Sequence, residues 1–305
     1  MTSYITGIDE NGLGPRLGPL VATAVTVKVP SYEAEYWRKI GISIGVTDSK
    51  KSSGFGQMRF AEGFVLAVME SLLGRQPRSY YELLAALSLD DIKILKAPCP
   101  VQSEAQCWQG NTALPAWGAS IDQGRALLSK LEQAGLQIVR ARSALACAGV
   151  LNQQAAQGVN RLAIDLWLFE RLALDARASL ESNLLTLCGM VGGIRSYVPR
   201  LRIINPDHVT EAKEENGISR YAVKNLGELC FSVDADAEHL PVAIASMIGK
   251  YLRELAMKQL YTFYAHYLPD LPEVSGYHDS RTRAFVQQTA LFRKKRGVSS
   301  TCFER

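Results

Sequence analysis

The sequence predicts an α/β fold built on a mixed central β-sheet, and three observations carry that expectation. Short β-branched, apolar stretches cluster near the start of the chain. Similar stretches later alternate with long segments of helical period. The first two apolar stretches are joined too tightly to admit a helix between them. The 305 residues are 47% hydrophobic and 21% charged, the balance of a soluble globular chain with a sizeable core. No charged start leads into an apolar leader, and no window approaches the ~20 apolar residues of a membrane span. A cytoplasmic protein without membrane contact is the expectation.

Taken in order, residues 4–9 read as a strand, and "LVATAVTVKV" (20–29) as a second that ends at Pro30. "NGLGPRLGP" between them is turn chemistry, so the two form an antiparallel, hairpin-like pair. "GISIGV" (41–46) reads as a third strand arriving at "TDSKKSS", and "MRFAEGFVLAVMESLLG" (58–74) has helical spacing. Residues from about 75 to 125 include "KAPCPVQSEAQCWQGNTALPAWGAS" (96–120), with three prolines, two tryptophans and no clear period. They read as a surface excursion or insertion rather than a domain. "SIDQGRALLSKLEQAG" (120–135) is a helix that Ser120 or Asp122 caps and Gly135 ends, and "LQIVRARSA" (136–144) follows as a strand. "NRLAIDLWLFERLALDARASL" (160–180) is an amphipathic helix capped by Asn160. "SNLLTLCGMVGG" (182–193), "LRIINP" (201–206) and "GELCFSVDADA" (227–237) are candidate strands. "HLPVAIASMIGKYLRELAMKQLYTFYAHYL" (239–268) is a long helix with small residues along one face. One domain over residues 1–305 is expected, with a helical C-terminal part from about 240.

Net charge is only +4, but Arg281, Arg283, Arg293, Lys294, Lys295, Arg296 and Arg305 face a single acid, Glu304, after residue 280. Such a segment suits a polyanion, or is an ordinary solvated tail. The six cysteines (99, 107, 147, 188, 230 and 302) form no C-x-x-C pair and lie at no zinc spacing from a histidine. That argues against a structural zinc site and a disulfide framework.

Chemistry concentrates at strand ends. Asp9 and Glu10 close the first strand and run into glycines at 12, 14 and 18. Alone, they read equally as the start of a polar turn. "TDSKKSS" adds Asp48, Ser49, Lys50 and Lys51 after an apolar stretch, and "VDADAEHLPVAIASMIGKY" adds Asp234 and Asp236 between a strand and a helix. Carboxylates crowded at strand ends repel one another unless a hard cation joins them, and Mg²⁺ shares its remaining positions with water and substrate phosphates. Glycines let backbone N–H groups approach a nucleic-acid backbone closely. Lysine and serine suit phosphate contacts.

"GIDENGLGP…GPLVATAV", "TDSKK", "DAEHLPVAIASMIGKYLREL" and "SGYHDSRT", in this order, resemble the type 2 ribonucleases H, the ribonuclease HII and HIII group. The likeness is good over residues 4–52, holds in outline over 160–260 and is weak elsewhere. It implies a ribonuclease H-like fold and Mg²⁺- or Mn²⁺-dependent hydrolysis of RNA in RNA:DNA hybrids, or at ribonucleotides embedded in DNA, by a monomer. It implies that Asp9, Glu10 and Asp236 hold the metal and that Gly12, Leu13 and Gly14 read the ribose 2′-hydroxyl. Lys50, beside Ser49, falls on a phosphate-binding position, and Tyr277 either stacks on sugar or base or is a core tyrosine. The family carries one more Asp where this chain has Cys188, a thiol and a poor Mg²⁺ ligand. Three readings stay open: another acid (Asp234, Asp207 or Glu238) substitutes, the enzyme works weakly or with Mn²⁺, or only nucleic-acid binding remains.

Overall fold

The computed structural model describes residues 3–46, 58–101, 104–180, 184–215 and 217–305. A seven-stranded mixed sheet runs through it in the order β3-β2-β1-β4-β7-β6-β5. Strands β1 (Ser3–Asn11) and β2 (Leu20–Val29) pair antiparallel, as the short glycine connection requires. Helices α1 (Ala34–Ser43), α2 (Arg59–Leu73), α3 (Tyr80–Leu87), α4 (Ile92–Lys96) and α5 (Ile121–Gln133) follow. Strand β3 (Gln137–Ala146) then returns to pair antiparallel with β2. After α6 (Ala148–Ala156) and α7 (Arg161–Ala178), β4 (Leu184–Gly189) enters parallel to β1. The antiparallel hairpin β5 (Val209–Glu215) and β6 (Ile218–Val223) leads to β7 (Gly227–Ser232), parallel to β4. The short α8 (Ala235–Glu238), the long α9 (Leu240–Ala265), α10 (Ser280–Lys295) and α11 (Ser300–Phe303) complete the chain.

Alternation along β2 sorts the core into two layers. Val21, Val25 and Val27 pack with Ile244, Ile248 and Leu252 of α9, whereas Leu20, Ala22 and Ala24 pack with Leu168, Phe169 and Leu172 of α7. A third cluster joins the far half of α9 to α10 and α11 through Tyr264, Phe285 and Phe303. The small residues of α9 allow it to lie very close to the sheet. A Cβ on Gly249 would stand 2.8 Å from Thr23 Oγ1 and Asn11 Nδ2, and one on Gly7 would stand 2.2 Å from the Pro241 carbonyl carbon. That approach places Ser246 over the end of β1.

Several local expectations are corrected. Residues 41–46 are not a strand. They are the last turn of α1 and its exit, because Trp37 and Gly41, one helical turn apart, are buried together. The 75–125 segment is not confined to the surface: Leu83, Leu84 and Leu87 of α3 sit in the main core. "LRIINP" forms no strand; the backbone N–H groups of Arg202, Ile203 and Ile204 turn inward to the Glu170 carboxylate at 3.0, 3.2 and 3.1 Å. Hairpin β5–β6 was not expected, since "VTEAKEE" is polar and exposed along nearly its whole length. The basic stretch after 280 is folded, with Phe285, Val286 and Thr289 of α10 buried. Asn160 does cap α7, accepting from Ala163 N–H at 2.9 Å.

Glu62 of α2 fixes the 115–119 turn. It is fully buried and accepts from the backbone N–H groups of Ala116 (2.5 Å), Trp117 (2.9 Å) and Ala119 (3.1 Å), and from the Tyr251 hydroxyl (2.9 Å). Replacing Glu62 by Ala leaves four donors without an acceptor and is expected to lower unfolding free energy by about 3 kcal/mol. Urea denaturation of Glu62→Ala beside the parent protein checks this. Glu62→Gln, which keeps one acceptor oxygen, should fall between them.

Candidate active site

Strand β1 ends between the antiparallel β2 and the parallel β4, with β7 next in line beyond β4. Asp9, Glu10, Gly12, Leu13, Gly14, Asp236 and Tyr277 all line one open cleft there, of about 510 Å³. The structure therefore brings together every expected site residue that it describes. Ser49 and Lys50 lie outside the described residues.

Ile8 pairs in register with Cys188, and both point into the core layer under α7. Asp9 consequently faces the opposite side, towards α9 and the cleft. Protein surrounds its carboxyl densely, and this burial raises it well above the ordinary carboxylate range. Repulsion from Glu10 and Asp236 acts in the same direction, while a hydrogen bond with the Ser246 side chain pulls back. The approach to Asp236 begins with Asp234, a non-glycine residue at φ 50° and ψ 32°, which turns the chain sharply out of β7 into α8.

The Cys188 thiol is buried in the α7 core layer, where the Asp9 charge still acts on it, and the residue directly against the Asp9 carboxyl is Gly189. A Cβ there would stand 2.7 Å from Asp9 Oδ1 and 4.0 Å from Glu10 Oε2. The residue against the Asp9 carboxyl thus carries no side chain. Of the acids considered as replacements, Asp234 lines the cleft, whereas Asp207 and Glu238 are exposed outside its lining.

The glycine loop has a firm base. Gly12 has φ +97°, and a Cβ on it would meet Arg253 Nε and the Pro19 carbonyl, both at 2.7 Å. Gly14 has open space where a Cβ would stand, and Leu13 turns its side chain to the α7 core layer. Arg253 is 2% exposed, pairs with Glu254 at 3.0 Å and donates to the carbonyls of Leu17 (3.3 Å) and Ser275 (3.0 Å). The Tyr277 ring lies 5.0 Å from this guanidinium and is half exposed at the cleft rim. Lys250, Arg253 and Glu254 also line the cleft; they follow Ser246 at helical spacing, which is the signal that could have assigned them. Asp165 of α7 carried no such signal. It is fully buried without a partner for either oxygen, and burial, with Asp9 adding, raises its carboxyl well above the usual range. His239 is bonded through Nδ1 to the Tyr32 hydroxyl at 3.1 Å and is not part of the cleft lining.

Asp9, Glu10, Asp234, Asp236 and Glu254 are five carboxylates against two cations, Lys250 and Arg253. The donor set is all oxygen and suits a hard divalent cation in chemistry. Among the described residues, no group of three or more His, Cys, Asp or Glu has its donor atoms gathered to hold an ion as placed. The repulsion on Asp9 is the energy that a bound cation would remove.

No family model matches the sequence, and no curated protein does. Solved structures do resemble the fold. Ribonuclease HII from Archaeoglobus fulgidus, solved in complex with PCNA, is 18% identical with a TM-score of 0.50; the match covers 98% of this chain and 92% of that one. Ribonuclease H2 from Pyrococcus horikoshii is 15% identical over 98% and 92% of the two chains, with a TM-score of 0.48. Bst-RNase HIII in complex with Mn²⁺ is 15% identical, with a TM-score of 0.49, over 99% of this chain and 65% of that one. The chain has a type 2 ribonuclease H-like fold. No described helix is long and apolar enough to cross a membrane.

An acid whose folded pKa is raised destabilises the fold when ionised. The penalty is absent below the unfolded value of about 4, grows as pH rises and is complete above the folded value. The contribution of Asp9 to the stability of the metal-free protein is therefore expected to fall from pH 4 towards neutrality. Asp9→Asn should flatten that slope and raise the neutral-pH melting temperature by a few degrees. Thermal melts in chelator across this pH range check both.

Proposed function

We propose that this protein is a divalent-metal-dependent endonuclease that hydrolyses the RNA strand of RNA:DNA hybrids, or DNA at embedded ribonucleotides. The observation that carries the reading is the meeting of Asp9, Glu10 and Asp236 with the Gly12–Gly14 loop in one cleft, at the strand ends of a ribonuclease H-like sheet. Asp9, Glu10 and Asp236 would hold Mg²⁺ or Mn²⁺. Such an ion supplies Lewis-acid stabilisation of the charge that builds on a phosphodiester during in-line hydrolysis.

The chain's own residues bind and orient. Ser246 holds the Asp9 carboxylate by a hydrogen bond. Gly12 takes a conformation that side chains avoid, so backbone can face a sugar directly. Leu13 turned inward leaves recognition at this point to main-chain groups. The half-exposed Tyr277 ring offers a stacking face at the rim. Lys250 and Arg253 offset part of the repulsion between an acidic cleft and a polyanion. Lys50 and Ser49 are assigned to phosphate contact on the sequence resemblance alone.

A second reading is favoured by Gly189: with no carboxylate on the strand end beside Asp9, the cleft binds hybrid without cutting it. Cleavage of a labelled RNA:DNA hybrid, and of a duplex with one ribonucleotide, in Mg²⁺ and in Mn²⁺, separates the two. Under the first reading, Asp9→Asn, Glu10→Gln and Asp236→Asn each lower turnover by at least roughly a hundredfold, and the products carry 3′-hydroxyl and 5′-phosphate ends. Asp234→Asn joins them only if Asp234 supplies the missing charge. No cutting with either ion, together with salt-sensitive binding, selects the second reading.

A further inference from the structure

The glycine loop is gripped from a part of the chain almost 300 residues away. Arg305 donates from its guanidinium Nη2 to the Gly12 carbonyl. Its backbone N–H donates to the Arg16 carbonyl at 3.1 Å. Arg16 in turn pairs with Glu304 at 2.5 Å, and Leu17 forms an antiparallel bridge with Glu304. This terminal segment is itself anchored. Asn152 donates to the carbonyls of Thr301 and Glu304, both at 2.7 Å, and the buried Phe303 stacks in the third core cluster. The grip is therefore held by packing and does not depend on Arg305 alone.

The surroundings of that guanidinium are unusual. Nε and Nη1 of Arg305 are buried without a hydrogen-bond partner. Burial pushes the group down to about 9, and the nearby positive charges of Arg253 and Arg161 act in the same direction. Convergent guanidinium groups behind one loop cost energy in the free protein. They also place positive potential beside a cleft whose five carboxylates would otherwise repel a nucleic-acid backbone. The bond to Gly12 has a directional effect as well. A carbonyl lone pair facing the cleft would oppose a phosphate or ribose oxygen; drawn back by Arg305, it leaves the N–H side of the loop for the ligand.

We propose that Arg305 is a positioning residue for the Gly12–Gly14 loop, tying back the Gly12 carbonyl and charging the loop's base so that it accepts a polyanionic backbone. The inference rests on the nucleic-acid hydrolase reading for its ligand, but the tie itself can be tested without one. Hydrogen exchange followed by mass spectrometry on the free protein compares the parent with Arg305→Ala and Arg305→Lys. Arg305→Ala should speed exchange in peptides spanning residues 11–17 by roughly tenfold, the loss expected of one charge-assisted hydrogen bond, while α9 peptides stay unchanged. Arg305→Lys should recover most of the protection. With hybrid and Ca²⁺, Arg305→Ala should bind more weakly, by a factor that narrows as salt is raised. In cleavage assays the loss should fall on KM more than on kcat.

Unchanged loop exchange in Arg305→Ala overturns the proposal, and so does an Arg305→Lys protein that behaves like Arg305→Ala in exchange and binding. Should Arg305→Ala fail to fold, the parent and Arg305→Lys decide by the same two readouts. A parent protein that binds no hybrid overturns the hydrolase reading and the polyanion half of this proposal, and the exchange arm still decides the tie.

Discussion

The buried guanidinium of Arg253 is the contact on which the cleft depends. It reaches from α9 to the Leu17 carbonyl at the end of the glycine loop and to the Ser275 carbonyl in the segment before α10, with Glu254 as its ion-pair partner. Two glycines make room for it. Added Cβ atoms at Gly12 and Gly276 would stand 2.7 and 3.2 Å from guanidinium nitrogens. A charge this deep is tolerated only because carbonyls and a carboxylate surround it; removing one partner of such a pair costs about 3–5 kcal/mol. The same group that organises the wall of the cleft thus also joins three distant parts of the chain.

Four of the acids set against the core divide into two kinds. Glu62 and Glu170 lie under protein, yet each collects backbone N–H donors and serves as an anchor for irregular chain. Asp9 and Asp165 do the reverse. Asp165 has no partner, and Asp9 faces two further carboxylates with a serine hydroxyl as a modest offset. Asp9 stands on β1 and Asp165 on the α7 that covers the sheet, and the Asp9 charge adds to the burial that raises Asp165. A fold that satisfies its structural acids so fully, and leaves these two in conflict, concentrates unfavourable charge where a cation would do most good.

Much of the architecture could be read locally. The β1–β2 pair, α7 with its Asn160 cap, and α9 with its small-residue face follow from turn chemistry and periodicity. The failures have physical causes. Residues 41–46 alternate like a strand, but the helical spacing of Trp37 and Gly41 decides the outcome. Hairpin β5–β6 has too little apolar pattern to announce itself. At the site, Asp9, Glu10, Asp236 and the glycines were legible because strand ends and turn residues mark them. The face on which Cys188 lies could not be read from its spacing, because in a strand one residue reverses the face. Arg305 was out of reach of any local pattern, since its contact with Gly12 spans 293 positions.

The polar hairpin at the end of the sheet has a consequence for assembly. Strand β5 is an outer strand bearing Glu211, Lys213, Glu214 and Glu215, nearly all of it exposed, with Lys213 and Glu215 paired at 3.5 Å. An incoming strand would have to strip water from this row of charges before gaining its ladder bonds. The β5 margin of the sheet thereby resists fibril-like growth and β-strand addition, without any helix being spent to cover it.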